Sequence, residues 1–182
     1  VARRVLSDPV QRYLLADEVG MGKTIEAGII IRQCLLDDAD ATVLVLTPAH
    51  LVGQWREELD TRFRMGDFAE RIMILAYAEL PPEARHHPPT LLVIDEAHRA
   101  LASGYTDIAP ALRAVIRTLG QAVERLLLLS ATPGVGREAE LLALLQVLDP
   151  AVYGQEAPET FRRKVEQRDK YGLFLGGLRA EA

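Results

Sequence analysis

The 182 residues suffice for one domain with a sizeable core, and a hydrophobic content of 49% with only 5% aromatics is that of an Ala/Leu/Val-rich α/β domain. A formal net charge of −5 argues against a surface that binds nucleic acid all over, though not against a local basic track. The lone cysteine, Cys34, rules out an internal disulfide or a thiolate zinc cluster, and with no membrane-length apolar run and no signal-peptide pattern the expected setting is soluble and cytoplasmic.

Along the chain, apolar runs that read as strands alternate with helical periodicity. Strands are expected near 12–16, 42–47, 72–76, 90–95 and 125–130, and helices near 23–37, 50–63, 107–118, 137–148 and 159–170. That alternation predicts a doubly wound parallel sheet flanked by helices. The first strand, Tyr13-Leu14-Leu15-Ala16, runs into Asp17-Glu18-Val19-Gly20-Met21-Gly22-Lys23-Thr24, which reads as a phosphate-binding loop. Backbone N–H groups of such a loop cradle phosphate oxygens, and the following helix N-terminus adds a favourable dipole. Gly20 and Gly22 allow the tight turn, Lys23 can reach the β- and γ-phosphates of ATP, and Thr24 can hold Mg²⁺. In the helix that follows, Ile25, Ile29, Cys34 and Leu36 are too dense for one stripe, which predicts burial all round.

The second strand ends at Thr47-Pro48. Beyond it, Trp55 reads as core packing, and Arg56, Arg62 and Arg64 are basic candidates interleaved with Glu57, Glu58 and Asp60. Pro81-Pro82 and Pro88-Pro89 mark a loop holding His86 and His87. Next, Leu91-Leu92-Val93-Ile94 delivers Asp95-Glu96-Ala97-His98. An α/β nucleotide enzyme needs a carboxylate there to orient hydrated Mg²⁺ and a second to polarise the attacking water. Thr106-Asp107 predicts a helix start and Gly120 a helix end. The last strand delivers Ser130-Ala131-Thr132-Pro133. Polar residues at the C-terminal ends of several strands mark the edge where parallel α/β sheets bind ligands. After Asp149-Pro150 the charge rises and aromatics gather, so residues 1–150 are expected to form the ATP-binding unit and 151–182 a partly basic helical extension or linker.

Phosphate loop, Thr-Pro strand end, Asp-Glu-Ala-His and Ser-Ala-Thr, in that order, resemble the first RecA-like lobe of a superfamily-two helicase. The spelling from Ala16 to Gly28, with its acidic pair Asp17-Glu18, is similar to SWI/SNF-type ATPases, and within them to the bacterial RapA-like branch. Thr47 to Leu59 and Leu141 to Pro150 look like two further segments of that family. The resemblance implies a P-loop lobe of an ATP-dependent double-stranded DNA translocase. Gly20, Met21, Gly22, Lys23, Thr24 and Ile25 would bind ATP, Thr24 and Asp95 would hold Mg²⁺, and Lys23, Asp95 and Glu96 would carry the hydrolysis. His98, Ser130 and Thr132 would couple the site to a second RecA-like lobe, while Thr47, Pro48 and Gln54 would lie near the DNA backbone. Ala76-Tyr77-Ala78 is a thinner match to a later DNA-facing motif. RNA polymerase or proteins of DNA-defence systems would be further partners, a nucleoid location would follow in a bacterium, and no membrane is involved.

Two departures from the family pattern are visible. The interval from Trp55 to Asp95 is short, which leaves room for a trimmed strand or loop. The chain also begins after the place of the adenine-reading glutamine motif and ends before a second lobe, so no residue corresponds to an arginine finger, and the lobe alone is expected to hydrolyse ATP weakly. The alternatives are a strand-separating DNA or RNA helicase of the same superfamily and a nucleotide-gated protein-interaction module.

Overall fold

Five short parallel strands carry the architecture: β1 (Arg12–Ala16), β2 (Val43–Thr47), β3 (Ile72–Ala76), β4 (Leu91–Ile94) and β5 (Arg125–Ser130). The computed structural model describes residues 2–16, 22–130 and 137–167, the side chain of Arg85 apart. Helices α1 (Ala2–Ser7), α2 (Lys23–Asp37), α3 (Val52–Phe63), α4 (Ala97–Leu101), α5 (Pro110–Ala122), α6 (Glu138–Leu148) and α7 (Pro150–Tyr153) surround the sheet. Residues 158–167 are also helical.

The strand order is β1-β5-β4-β2-β3, with every neighbouring pair parallel. The chain therefore leaves β1, builds β2 and β3, and returns to insert β4 and β5 into the gap. This return creates a crevice at the C-terminal ends of β1, β5 and β4, where open α/β sheets bind ligands.

Apolar runs such as Val43–Leu46 and Leu126–Leu129 are continuous because both faces of the sheet are covered. On one face Leu15, Val43, Val45, Leu91, Val93, Leu127 and Leu129 pack with Ile30, Ile31, Leu35, Trp55 and Leu59 of α2 and α3. On the other face Leu44, Leu46, Leu92, Ile94, Leu126 and Leu128 meet Leu101, Ile116, Leu119 and Leu144 of α4, α5 and α6. Alternate residues of one run thus serve two separate cores, the period-2 consequence of the pleat.

All five strands fall where the sequence predicts them, and β3 fills the short interval between Trp55 and Asp95, flanked by 3₁₀ turns over Met65–Arg71, Tyr77–Glu79 and Pro82–His86. Three local expectations are corrected. α2 is not buried all round: Ile25, Ile29 and Leu36 are exposed along one stripe, because only its sheet-facing side, from Ala27 to Leu35, meets the core. The helix expected from Thr106-Asp107 begins at Pro110, with Asp107 pairing instead with Arg99 at 2.6 Å. Gly120 does not end that helix but lies inside it, where a β-carbon would come within 2.6 Å of Val147. It is a close-approach glycine between α5 and α6.

Candidate nucleotide site

Gly22 opens the site. It adopts φ 88° and ψ 14° as the residue before α2, a left-handed conformation that glycine enters without steric cost. Nothing lies within 4 Å of where its β-carbon would be, so backbone conformation and not crowding calls for glycine here. The first turn of α2 borders a cleft of about 390 Å³. Gly22, Lys23, Thr24 and Ile25 form one wall, and Asp95 and Glu96 form another. Leu51, Gln54, Trp55, Glu58 and Arg62 of the α3 region complete it.

The acidic pair is held by its surroundings. The N–H of Asp95 donates to the carbonyl of Leu46 at 2.8 Å, which extends the ladder one residue past β4. Its Oδ2 accepts from Trp55 Nε1 at 2.9 Å and from Thr47 Oγ1 at 3.2 Å, while its Oδ1 accepts from the Glu96 N–H at 2.9 Å. Charge-assisted bonds of this kind fix a carboxylate in one rotamer. Glu96 sits at φ 46° and ψ 43°, left-handed geometry that costs a non-glycine residue on the order of 1–3 kcal/mol. The sharp turn aims the Glu96 side chain into the cleft and starts α4 one residue later. The Tyr77 hydroxyl donates to the Asp95 carbonyl, and the Glu96 carbonyl lies 3.4 Å from the same hydroxyl.

His98, on α4, lies between Glu96 and the end of β5. Its Nδ1 is 2.8 Å from Ser130 Oγ, and its Nε2 is 3.4 Å from Glu96 Oε2. Burial pushes the imidazole pKa down, and the neighbouring Glu96 and Glu140 carboxylates oppose that only in part. A neutral ring carries one N–H. A carboxylate can only accept, so the partners assign the proton to Nε2 and leave Nδ1 to accept from the Ser130 hydroxyl.

The donor set fits Mg²⁺. The Thr24 hydroxyl, the Asp95 carboxylate and the Glu96 carboxylate are hard oxygen groups on one cleft, and no cluster of three or more His, Cys, Asp or Glu side chains suited to a metal exists among the described residues. Magnesium in phosphoryl-transfer sites takes one or two carboxylates plus substrate phosphates, not an all-protein cage.

Gly22, Lys23, Thr24, Ile25, Asp95 and Glu96 thus line one cleft, and His98 joins Ser130. Gly20, Met21 and Thr132 lie outside the described residues. The expectation for Thr47 as a residue beside the DNA backbone is corrected: its side chain is fully buried and spent on Asp95. Gln54 is exposed on the rim of the nucleotide cleft and bonded to Glu58 at 2.8 Å. Pro48 lines a different cleft of about 230 Å³, together with His50, Ala76, Tyr77, Ala78, Arg99 and Asp107. Of the three basic candidates on and after α3, Arg62 reaches the nucleotide cleft, Arg56 bonds to the Ile74 carbonyl at 3.4 Å, and Arg64 caps α3 in left-handed geometry. Sequence reasoning missed Tyr77 as a support of the acidic pair, and it read Trp55 only as core. The available signal was a polar-tipped aromatic in the segment that follows each of the two preceding strands, β2 and β3.

The SNF2-related domain family matches residues 6–80, which include the phosphate loop and the Thr47–Leu59 segment. The RNA polymerase-associated protein RapA of Pseudomonas aeruginosa (strain LESB58) is 35% identical over 190 residues, covering 92% of this chain and 20% of that protein. This chain belongs to the SNF2-type family. It corresponds to the first, N-terminal RecA-like lobe of these superfamily-two ATPases. A Bacillus subtilis protein described as an uncharacterised ATP-dependent helicase, YqhH, is 29% identical over 170 residues, covering 86% of the chain and 29% of its own length. The chain spans about a fifth of the RapA proteins it matches. In three dimensions it resembles the Sulfolobus solfataricus SWI2/SNF2 ATPase core in complex with double-stranded DNA, with a TM-score of 0.64 at 20% identity over 83% of this chain and 34% of that one. That likeness extends the parallel sheet and flanking helices to a known SNF2 fold.

Proposed function

We propose that this SNF2-type lobe binds Mg·ATP and hydrolyses it as part of a motor that moves on double-stranded DNA. The observation that carries the reading is the convergence of Lys23 and Thr24 with Asp95 and Glu96 on one cleft. A lysine, a hydroxyl and two carboxylates gathered from distant segments at a helix N-terminus are the groups that hold a phosphate and its cation.

In this reading Lys23 and the backbone N–H groups of the first turn of α2 take the β- and γ-phosphates, and Gly22 keeps the backbone close to them. Thr24 and Asp95 hold Mg²⁺, which when bound neutralises phosphate charge and orients the γ-phosphoryl group. Glu96 accepts the proton of the water that attacks that group in line. Its left-handed backbone and its contact with His98 keep the carboxylate in the cleft. Trp55 and Thr47 hold Asp95 in the rotamer that faces the cleft. His98 and Ser130 then connect Glu96 to the end of β5, the path by which a second lobe would sense the γ-phosphate. Pro48 and Ala76–Ala78, on their separate cleft, form the surface offered to DNA.

The partners follow from the same reading: duplex DNA, a second RecA-like lobe, and RNA polymerase by analogy with the RapA proteins, in a cytoplasmic setting. The test is nucleotide binding and turnover of the full-length protein with and without duplex DNA, beside Lys23→Ala. The variant should keep its circular dichroism spectrum and lose Mg·ATP binding; unchanged nucleotide affinity refutes the assignment.

A further inference from the structure

Tyr77 stands between the two clefts. It begins the 3₁₀ turn after β3, a turn closed by the Ala76 N–H donating to Glu79 Oε2 at 2.7 Å. The residue is 6% exposed, and its ring packs with Leu44, Leu46, Leu92 and Ile94, the sheet face beneath the acidic pair. Tyr77 also lines the cleft that holds Pro48, His50, Arg99 and Asp107. Its hydroxyl reaches the backbone on the other side, at Asp95 and Glu96, where the chain makes its left-handed turn. One residue therefore borders the proposed DNA surface and, through its hydroxyl, holds the peptide that aims the general base.

We propose that Tyr77 is a positioning residue that ties the Asp95–Glu96 turn to occupancy of the Pro48/Ala76–Ala78 cleft. The inference rests on the DNA-motor reading above. A polymer seated on that cleft presses on the Ala76–Ala78 backbone and moves the phenol. The phenol carries the movement to the Asp95 carbonyl, and so to the Glu96 carboxylate one residue on. Coupling of this kind needs a packed, discrete connection between sites, and a buried hydroxyl bonded to a strained turn supplies one. Phenylalanine keeps the ring and its packing and removes only the link.

The experiment uses the full-length protein and its Tyr77→Phe variant, reading nucleotide affinity, kcat and KM for ATP with and without duplex DNA. Nucleotide affinity and KM should stay within about twofold of the unmutated protein, since Lys23 and Thr24 are untouched. The ratio of DNA-stimulated to basal kcat should fall about tenfold, the scale of one hydrogen bond lost from the transition state. Leu80→Ala, in the same core cluster but without the hydroxyl link, should lower Tm while leaving that ratio as it was. An unchanged ratio in Tyr77→Phe overturns the inference, as does an equal loss in Leu80→Ala, which would make the effect general loosening. A Tyr77→Phe protein that does not fold also overturns it, because a positioning hydroxyl is dispensable for the fold. If the unmutated protein binds Mg·ATP but is not stimulated by DNA, the motor reading itself falls.

Discussion

The indole N–H of Trp55 donates to Oδ2 of Asp95 at 2.9 Å, joining a side chain that is 2% exposed in the core to the carboxylate that faces the cleft. Trp55 therefore does two jobs: its ring packs α3 on the sheet, and its N–H orients the acid. Trp55→Phe keeps much of the packing and leaves Oδ2 with Thr47 as its donor. The expected outcome is a loss of about 2 kcal/mol in stability, the usual worth of a hydrogen bond to a charged group. Mg²⁺-dependent nucleotide affinity should fall about tenfold or more, as when a partner supporting a metal ligand is removed. Urea unfolding and nucleotide titration check the two effects separately; an unchanged affinity would mean that Asp95 orients itself without the indole.

His98 gives a pH signature. Burial holds its folded pKa below the ordinary imidazole value of about 6.5. In the window from that value downward the unfolded chain takes up a proton that the folded chain refuses, so stability is full above about pH 7 and is lost as pH falls through the unfolded pKa. Other groups titrate as the pH drops further, and the comparison with His98→Gln isolates this one. The variant should show a shallower decline of Tm between pH 7 and 5.5. A decline of equal slope in both proteins would mean that His98 takes up its proton equally readily in the folded chain.

Much of this was legible in the chain itself, for reasons that differ by element. Runs such as Val43–Leu46 and Leu126–Leu129 announce strands because a parallel sheet covered on both sides needs unbroken apolar stretches. Lys23, Thr24, Asp95 and Glu96 stood out as candidates because a phosphate and its cation would need those side chains just beyond strand ends, and the fold gathers them on one cleft. The stripe of Ile25, Ile29 and Leu36 misled, since apolar density along a helix records hydrophobicity and not which side the sheet will cover. Thr47 misled for another reason. A polar residue at a strand end reads as available for a ligand, yet a hydroxyl beside a buried carboxylate is satisfied internally. Tyr77 and Asp95 meet only because β3 and β4 flank β2 in the folded sheet, a neighbourhood that sequence separation hides.

Gly28 marks the contact between α2 and α3. A β-carbon there would lie 2.2 Å from the Phe63 ring, closer than any real contact, so the ring or the helix must move. Gly28→Ala gains helix propensity but overpacks the junction, and the net loss should be about 1–3 kcal/mol. Phe63→Leu removes the colliding ring edge. The double variant should recover much of the loss, giving a coupling energy that independent sites would not show. Thermal unfolding of the two single variants and the double variant checks this; strict additivity would place the clash elsewhere.

Arg12 offers a stability variant that should leave the chemistry alone. It sits at the start of β1, the opposite end from the phosphate loop, and its guanidinium gathers carbonyls from the C-terminal ends of two helices. Nε donates to Leu148 at 2.9 Å, Nη2 to Gly120 at 2.8 Å and Val147 at 2.7 Å, and Nη1 to Val123. Terminal carbonyls lack intrahelical partners and carry the negative end of the helix dipole, so one cation satisfies α5 and α6 together. A lysine keeps the charge but not the planar fork, and cannot reach carbonyls on both helices at once. Arg12→Lys should therefore lower stability by about 2 kcal/mol, from buried carbonyls left without donors. Its nucleotide affinity at a temperature where it stays folded should match that of the unmutated chain, because the strand between Arg12 and the cleft is paired along its whole length with β5. A loss of affinity without a loss of stability would show that the far end of β1 communicates with the loop, and that the sheet is less rigid than its pairing implies.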